Sequence, residues 1–270
     1  MENNLQKNAD RFTGFADTYD NARPAMPIYP VKIITKYLGK IPDTIIDLGC
    51  GTGLSTLAWQ NSCKRAIGIE PSADMLAVAK QKEGGNICFM QGFGDKTGLD
   101  DACADAVICS QSFHWMEPAA TLKEIDRILK SGGVFATVDC DWPPVSLWQA
   151  ELEYMKLYKK VKALEASLDD VSESFTRYPK DRHLDNIKAS GAFKYCRELV
   201  FQNTEKCTAK RFVGLILSQG SLQTVLKLHP ELIAHDIDEF KADVTALFGA
   251  EEFEIDFSYR MRVGIKAEVN

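Results

Sequence analysis

The chain has 270 residues, 45% of them hydrophobic and 26% charged, with a formal net charge of −6. That composition suits a globular protein with a real core in one or two domains. The acidic balance argues against long nucleic acids and anionic membranes as partners and points to a small molecule. The stretch Met1 to Asp10 is polar, and no apolar run approaches the roughly 18–20 residues of a membrane span. None of the eight cysteines forms a C-x-x-C pair or a zinc-ligand spacing with histidine. The expectation is a reduced, soluble, cytoplasmic protein without a metal site.

In chain order, Ile28 to Leu38 carries apolar residues at helical spacing, and Thr44 to Leu48 is a β-branched run that ends in glycines. Leu54 to Trp59 opens a helix, Arg65 to Glu70 is a second strand, and Ser72 to Lys82 a helix with Ser72 as N-cap and Met75, Leu76 and Ala79 on one face. Ile87 to Gln91 and Ala106 to Ser110 are strands; Ala119 to Leu129 is a helix that Gly132-Gly133 stops, and Val134 to Asp139 is a fifth strand. Beyond Trp142-Pro143-Pro144, the pattern predicts a long helix over Leu147 to Leu168, a helix over Leu184 to Ser190 and a strand over Tyr195 to Gln202. Helical stretches follow over Ala209 to Leu228 and Pro230 to Phe248, with a terminal strand over Phe253 to Val269.

Short apolar strands alternating with helices predict a doubly wound α/β fold, whose ligand crevice lies at the carboxyl ends of a parallel sheet. The expected organisation is an N-terminal helix and cofactor-binding core over 1–142, a helical lid over 143–182, a core helix and strand over 183–203, a second lid over 204–250, and a final strand over 251–270.

Asp47-Leu48-Gly49-Cys50-Gly51-Thr52-Gly53 joins the first strand to the next helix. Glycines there allow a tight turn and close approach of a ligand to the main chain. The dinucleotide fingerprint would need glycine where Leu54 stands, and the Gly-Lys-Ser/Thr of a P-loop is absent. Glu70 ends the second strand, where a carboxylate can accept both hydroxyls of a ribose.

This G-x-G-x-G turn after an acidic residue resembles the first motif of class I S-adenosylmethionine-dependent methyltransferases. Ser110-Gln111-Ser112-Phe113-His114-Trp115 and the stretch Phe15-Ala16-Asp17-Thr18-Tyr19-Asp20 with Arg23-Pro24 and Tyr29-Pro30 resemble the small-molecule, type 11 and trans-aconitate methyltransferase-like subgroup. The resemblance covers about residues 12 to 140. It implies a mostly parallel seven-stranded sheet with helical insertions as a lid, S-adenosylmethionine as cofactor, and methyl transfer to a small-molecule acceptor. Methylation of RNA or protein and a non-catalytic cofactor-binding role are the alternatives.

On that reading the cofactor site comprises Asp47, whose carboxylate suits the cofactor's positive charges, Gly49, Gly51, Gly53, Glu70, Pro71, Met75, Phe93, Gly94 and Ser110, with Tyr19 and Arg23 closing over it. Gln91-Gly92-Phe93-Gly94-Asp95 departs from the family's adenine-lining segment at Phe93, so main-chain groups and stacking are expected to recognise the adenine. Met75 either lies near the adenine or packs in the core. Arg23 either meets a carboxylate or marks the hinge of an N-terminal helix. His114 and Tyr19 are the candidate catalytic residues; His114 is a general base or else packs and orients its loop. Trp142, Trp148, Tyr154, Tyr158, Phe175, Phe212, Leu215 and Leu222 are candidates for an apolar roof, and the basic run Lys156 to Lys162 reads as a solvated helix face.

Overall fold

The computed structural model describes residues 2–11 and 13–268, with the side chains of 2–5 undescribed. Three helices open the chain, α1 (Glu2–Asp10), α2 (Ala16–Ala22) and α3 (Ile28–Leu38). The core follows as β1 (Thr44–Leu48), β2 (Arg65–Glu70), α4 (Ala73–Lys80), β3 (Ile87–Gln91), β4 (Ala104–Ser110), α5 (Pro118–Ile128) and β5 (Leu129–Cys140). A first helical insertion, α6 (Trp148–Ser167) and α7 (Asp169–Ser172), precedes α8 (His183–Ala189) and β6 (Phe193–Cys207). A second insertion, α9 (Ala209–Leu217), α10 (Gly220–Leu228) and α11 (Ala234–Phe248), leads to β7 (Phe253–Lys266).

The seven strands form one sheet in the order β3-β2-β1-β4-β5-β7-β6. The first five pair in parallel, and β7 runs antiparallel between β5 and β6. This is the expected fold. Ile45, Ile46 and Leu48 of β1 and Ala106, Val107 and Ile108 of β4 are fully buried, because helices cover both faces of a parallel sheet. Strand order reverses between β1 and β4, so the crevice opens above the carboxyl ends of these two strands.

Several element bounds differ from the sequence reading. The turn after the glycines becomes a short 3₁₀ helix, Thr56–Trp59, instead of an α-helix from Leu54. Ser72 occupies the N-cap of α4, but its hydroxyl makes no capping bond. Helix α5 ends at Ile128 and β5 begins at Leu129, which pairs with Ala104. Strand β6 runs to Cys207, past the expected end at Gln202, so the second insertion starts after it rather than at 204. The expected helix over 209–228 is two helices with Ser218 and Gln219 between them. The terminal strand ends at Lys266; Val269, the expected end, lies outside the described residues.

The two insertions pack on each other and on α2 to form a helical layer beside the sheet. Tyr154, Phe212, Leu215 and Leu222 are fully buried in that layer's own core, which removes them from the expected roof, and Trp148 is exposed to solvent. Among the described residues, no helix is long and apolar enough to cross a membrane.

Candidate functional site

A cavity lies above β1 and β4, lined by Tyr19, Gly49, Gly51, Glu70, Pro71, Met75, Phe93 and Gly94 from the sequence reading. The structure adds Asn8, Ala9, Gln111, Ser112, Trp115 and Met116 to the same wall. Met75 is both core and wall, being 1% exposed. A narrower recess beside Gly49 and Cys50 holds Arg23, Ser55 and Ser110. Asp47 and Gly53 line neither space and lie beneath the loop instead.

The glycines serve different ends. Gly51 has φ +57°, and a Cβ built on it would meet nothing nearer than a Tyr19 ring atom at 4.0 Å, so it borders open space. Gly53 has φ +88°, and a Cβ there would stand 2.6 Å from Phe89 Cζ. Its small size serves packing of the loop on β3, not approach of a ligand.

Asp47 organises the loop from below. One carboxylate oxygen accepts the hydroxyls of Ser55 (2.6 Å) and Thr56 (2.7 Å), while its Oδ1 has no partner. Burial pushes its pKa up to about 6, against the pull of those two hydroxyls. Glu70 accepts the Gly51 N–H on one oxygen (2.8 Å) and the Ser72 N–H on the other (2.9 Å). Burial lifts it to about 7, although both N–H groups favour the carboxylate. A carboxylate offers roughly four acceptor positions, so Glu70 keeps one on each oxygen for a diol.

Tyr19 and Arg23, at the two ends of one helical turn, cap the recess. The Arg23 guanidinium donates to Ser218 Oγ (2.8 Å) and Ser218 O (3.0 Å) and lies over the Trp142 ring at 4.7 Å and the Tyr19 ring at 5.1 Å. Among the described residues no carboxylate lies within ion-pair distance of it. Burial raises the Tyr19 phenol, opposed by Arg23.

A second, wider cavity of about 600 Å³ adjoins the first and shares Tyr19, Gln111 and Trp115 with it. His114 stands on its wall, 6% exposed, its ring tilted at 45° to that of Trp115 with centroids 4.7 Å apart. Burial first, then the Lys180 ammonium, drives the His114 pKa well below its ordinary value, so the ring is neutral at physiological pH. Its Nδ1 is 3.8 Å from Asp139 and makes no hydrogen bond.

Asp139, on β5, is a node that sequence reading missed. It meets Arg262 of β7 at 2.8 Å, His183 of α8 at 3.1 Å and Lys180 at 3.2 Å. Burial disfavours its charge, yet the Lys180 ammonium and the His183 hydrogen bond outweigh that and hold the carboxyl below the usual range. Asp139, the Lys180–His183 stretch and Arg262 are far apart in sequence and share no motif. Lys180 also donates to Gln111 Oε1 (2.9 Å), which ties the first insertion to the loop after β4.

Asn8 of α1 closes the roof. Its side-chain amide donates to Trp115 O and Thr176 O, each at 2.8 Å, and accepts the Thr176 N–H at 2.9 Å. Phe175, expected as a roof aromatic, instead carries the Arg11 guanidinium at 3.8 Å. Trp142 and Tyr158 do line the wider cavity.

A doubly wound sheet with the β7 reversal, a G-x-G-x-G turn at its switch point and an acidic end to β2 define the methyltransferase class of α/β fold. The methyltransferase-domain family profile matches residues 46–137. An uncharacterised methyltransferase-like protein of Schizosaccharomyces pombe is 34% identical over 245 residues, 90% of each chain. The chain belongs to the class I S-adenosylmethionine-dependent methyltransferases. A protein of Saccharomyces cerevisiae assigned as an S-adenosylmethionine-dependent methyltransferase is 32% identical over 124 residues, 44% of this chain and 43% of the relative. The chain thus spans under half the length of that relative. In structure it is similar to a protein assigned as a type II methyltransferase from Anaeromyxobacter dehalogenans, with a TM-score of 0.69 at 18% identity over 92% of this chain and 99% of that one.

The residues present fit S-adenosylmethionine. Glu70 has acceptor capacity left for a ribose diol, Gly51 leaves open space, and Arg23 offers an uncompensated cation to a carboxylate.

Proposed function

We propose that the protein transfers a methyl group from S-adenosylmethionine to a small-molecule acceptor. The observation that carries this reading is the pair of adjoining cavities that share Tyr19, Gln111 and Trp115. The wider one, about 600 Å³, falls in the ~300–1,000 Å³ range of small-ligand pockets.

In this reading Glu70 takes the ribose hydroxyls, Arg23 the carboxylate of the methionine end, and Phe93, Gly94 and Met75 flank the adenine. Asp47 acts from beneath by fixing Ser55 and Thr56. The cofactor supplies an electrophilic methyl on a sulfonium; the chain's task is to align the acceptor and exclude water. Tyr19 sits at the junction of the cavities to do the aligning. His114, neutral and desolvated, is a weak base suited to orienting an acceptor or taking a proton of low pKa. Eight unpaired cysteines support a reducing, cytoplasmic location.

The test is calorimetry with S-adenosylhomocysteine, followed by product formation with small-molecule extracts, bulk tRNA and bulk protein. Micromolar-range binding and turnover confined to the small-molecule fraction are expected. No binding would refute the cofactor site, and turnover confined to tRNA or protein would refute the acceptor class.

A further inference from the structure

Gln111 stands in a backbone conformation that its side chain does not favour. It follows β4 with φ +56°, in the left-handed region where a Cβ crowds the backbone. Among the described non-glycine residues only Asn61 and Ala102 share that sign; both are exposed and line neither cavity. Strain of this kind gathers at functional sites, where the surroundings hold it in place. Here the Gln111 N–H donates to Val138 O at 2.9 Å, which pins the turn to β5.

The turn brings the side chain to the place where three spaces meet. Gln111 lines the first cavity, the wider cavity and the narrow recess beside Gly49. A cation orients its amide. Lys180 donates to Gln111 Oε1 at 2.9 Å, and an ammonium has donors only, so the amide oxygen must face it. The NH₂ group is thereby turned the other way, shut from solvent and without a partner. A buried donor left unpaired is costly, and this one is kept at the junction. Lys180 is itself fixed by Asp139 at 3.2 Å, which Arg262 and His183 hold from β7 and α8.

Resting on the reading that a methyl group crosses this junction from S-adenosylmethionine, we propose that Gln111 holds the methyl acceptor, its Nε2 donating to a hydrogen-bond-accepting atom of that molecule. Lys180 is the positioning residue, because it keeps the amide from turning its oxygen to the acceptor. The amide exchanges no proton in the transfer. It fixes the distance and line of approach of the acceptor, on which an in-line displacement depends.

The experiment is calorimetry on the full chain with S-adenosylhomocysteine and with sinefungin, which carries a charged amine where S-adenosylmethionine carries its methyl. In the native chain that amine meets the amide N–H groups, donor against donor. Q111E puts a carboxylate oxygen there and is expected to raise sinefungin affinity at least about tenfold, near 1.4 kcal/mol, with S-adenosylhomocysteine unmoved. K180M frees the amide to turn its oxygen to the amine and raises sinefungin affinity less, while K180R keeps the native value. Most of the K180M gain disappears when Q111G is combined with it, which separates turning of the amide from loss of a nearby charge. Q111G suits a left-handed backbone. It should fold with a native or higher melting temperature and keep S-adenosylhomocysteine affinity, yet lose at least about tenfold in methyl transfer to the small-molecule extract at saturating cofactor. A Q111E effect shared by both ligands or by neither, a K180M gain that survives in full beside Q111G, or native transfer by Q111G overturns the proposal. Failure of the native chain to bind either ligand would instead bring down the cofactor reading beneath it.

Discussion

Glu70 offers a sharp test of the cofactor site through its proton. In the ligand-free protein burial holds its pKa at about 7 against an ordinary 4.5. A shift of roughly 2.5 units is worth about 3 kcal/mol. Because the folded value is raised, that stability is present below about pH 4.5 and is lost as pH climbs through about 7. A ligand whose ribose donates to the carboxylate binds the ionised form. Glu70 is then about one-tenth ionised at pH ~6 and about nine-tenths ionised at pH ~8, so affinity for S-adenosylhomocysteine should rise about tenfold, or ~1.4 kcal/mol, across that range. Calorimetry at both pH values in two buffers of different ionisation enthalpy reads the affinity and the proton released. E70Q removes the titrating group and should flatten the profile while weakening binding at the higher pH. A wild-type affinity that does not rise over this range, or a rise that survives in E70Q, would refute the assignment.

Asp47→Ala strands the buried hydroxyls of Ser55 and Thr56, at about 1–3 kcal/mol each; thermal denaturation should show a clear drop, smaller in Asp47→Asn, and an unchanged melting temperature contradicts the loop-organising role. Gly53→Ala drives a methyl into Phe89 and should lose about 1–3 kcal/mol of stability, with Phe89→Leu restoring part of it. Gly51→Ala should instead spend most of its effect on cofactor affinity, and reversed behaviour of the two variants would show the glycine roles to be misassigned. Arg262→Ala leaves Asp139 short of its strongest buried partner and should lose about 3–5 kcal/mol in urea denaturation; a loss below about 1 kcal/mol would mean that Lys180 and His183 suffice.

The core strands were legible because burial on both faces leaves a continuous apolar run, as in Ile45-Ile46 and Ala106-Val107-Ile108. The end of β6 was not, because Gln202 to Lys206 are polar residues on an edge strand, and only their pairing with β7 makes them a strand. The break between α9 and α10 falls at Ser218-Gln219, where Arg23 takes Ser218 from far along the chain. In the site, Glu70, Gly51 and Arg23 could be placed from local motifs. The burial of Asp47 beneath the loop comes from tertiary packing, and the gathering of Asp139, Lys180, His183 and Arg262 from assembly across three separate segments. No local spacing encodes that.

The Asn8 clasp has a kinetic consequence. Asn8 and Ala9 of α1 line the first cavity, so whatever enters or leaves past α1 must break the clasp. Three hydrogen bonds hold it; at about 0.5–1.5 kcal/mol each, the unlatched form is populated at roughly one part in ten to one in a few thousand. Two of those bonds end on Thr176, four residues before Lys180. Breaking the clasp therefore also frees one end of the segment 177–180 that borders the neighbouring chamber.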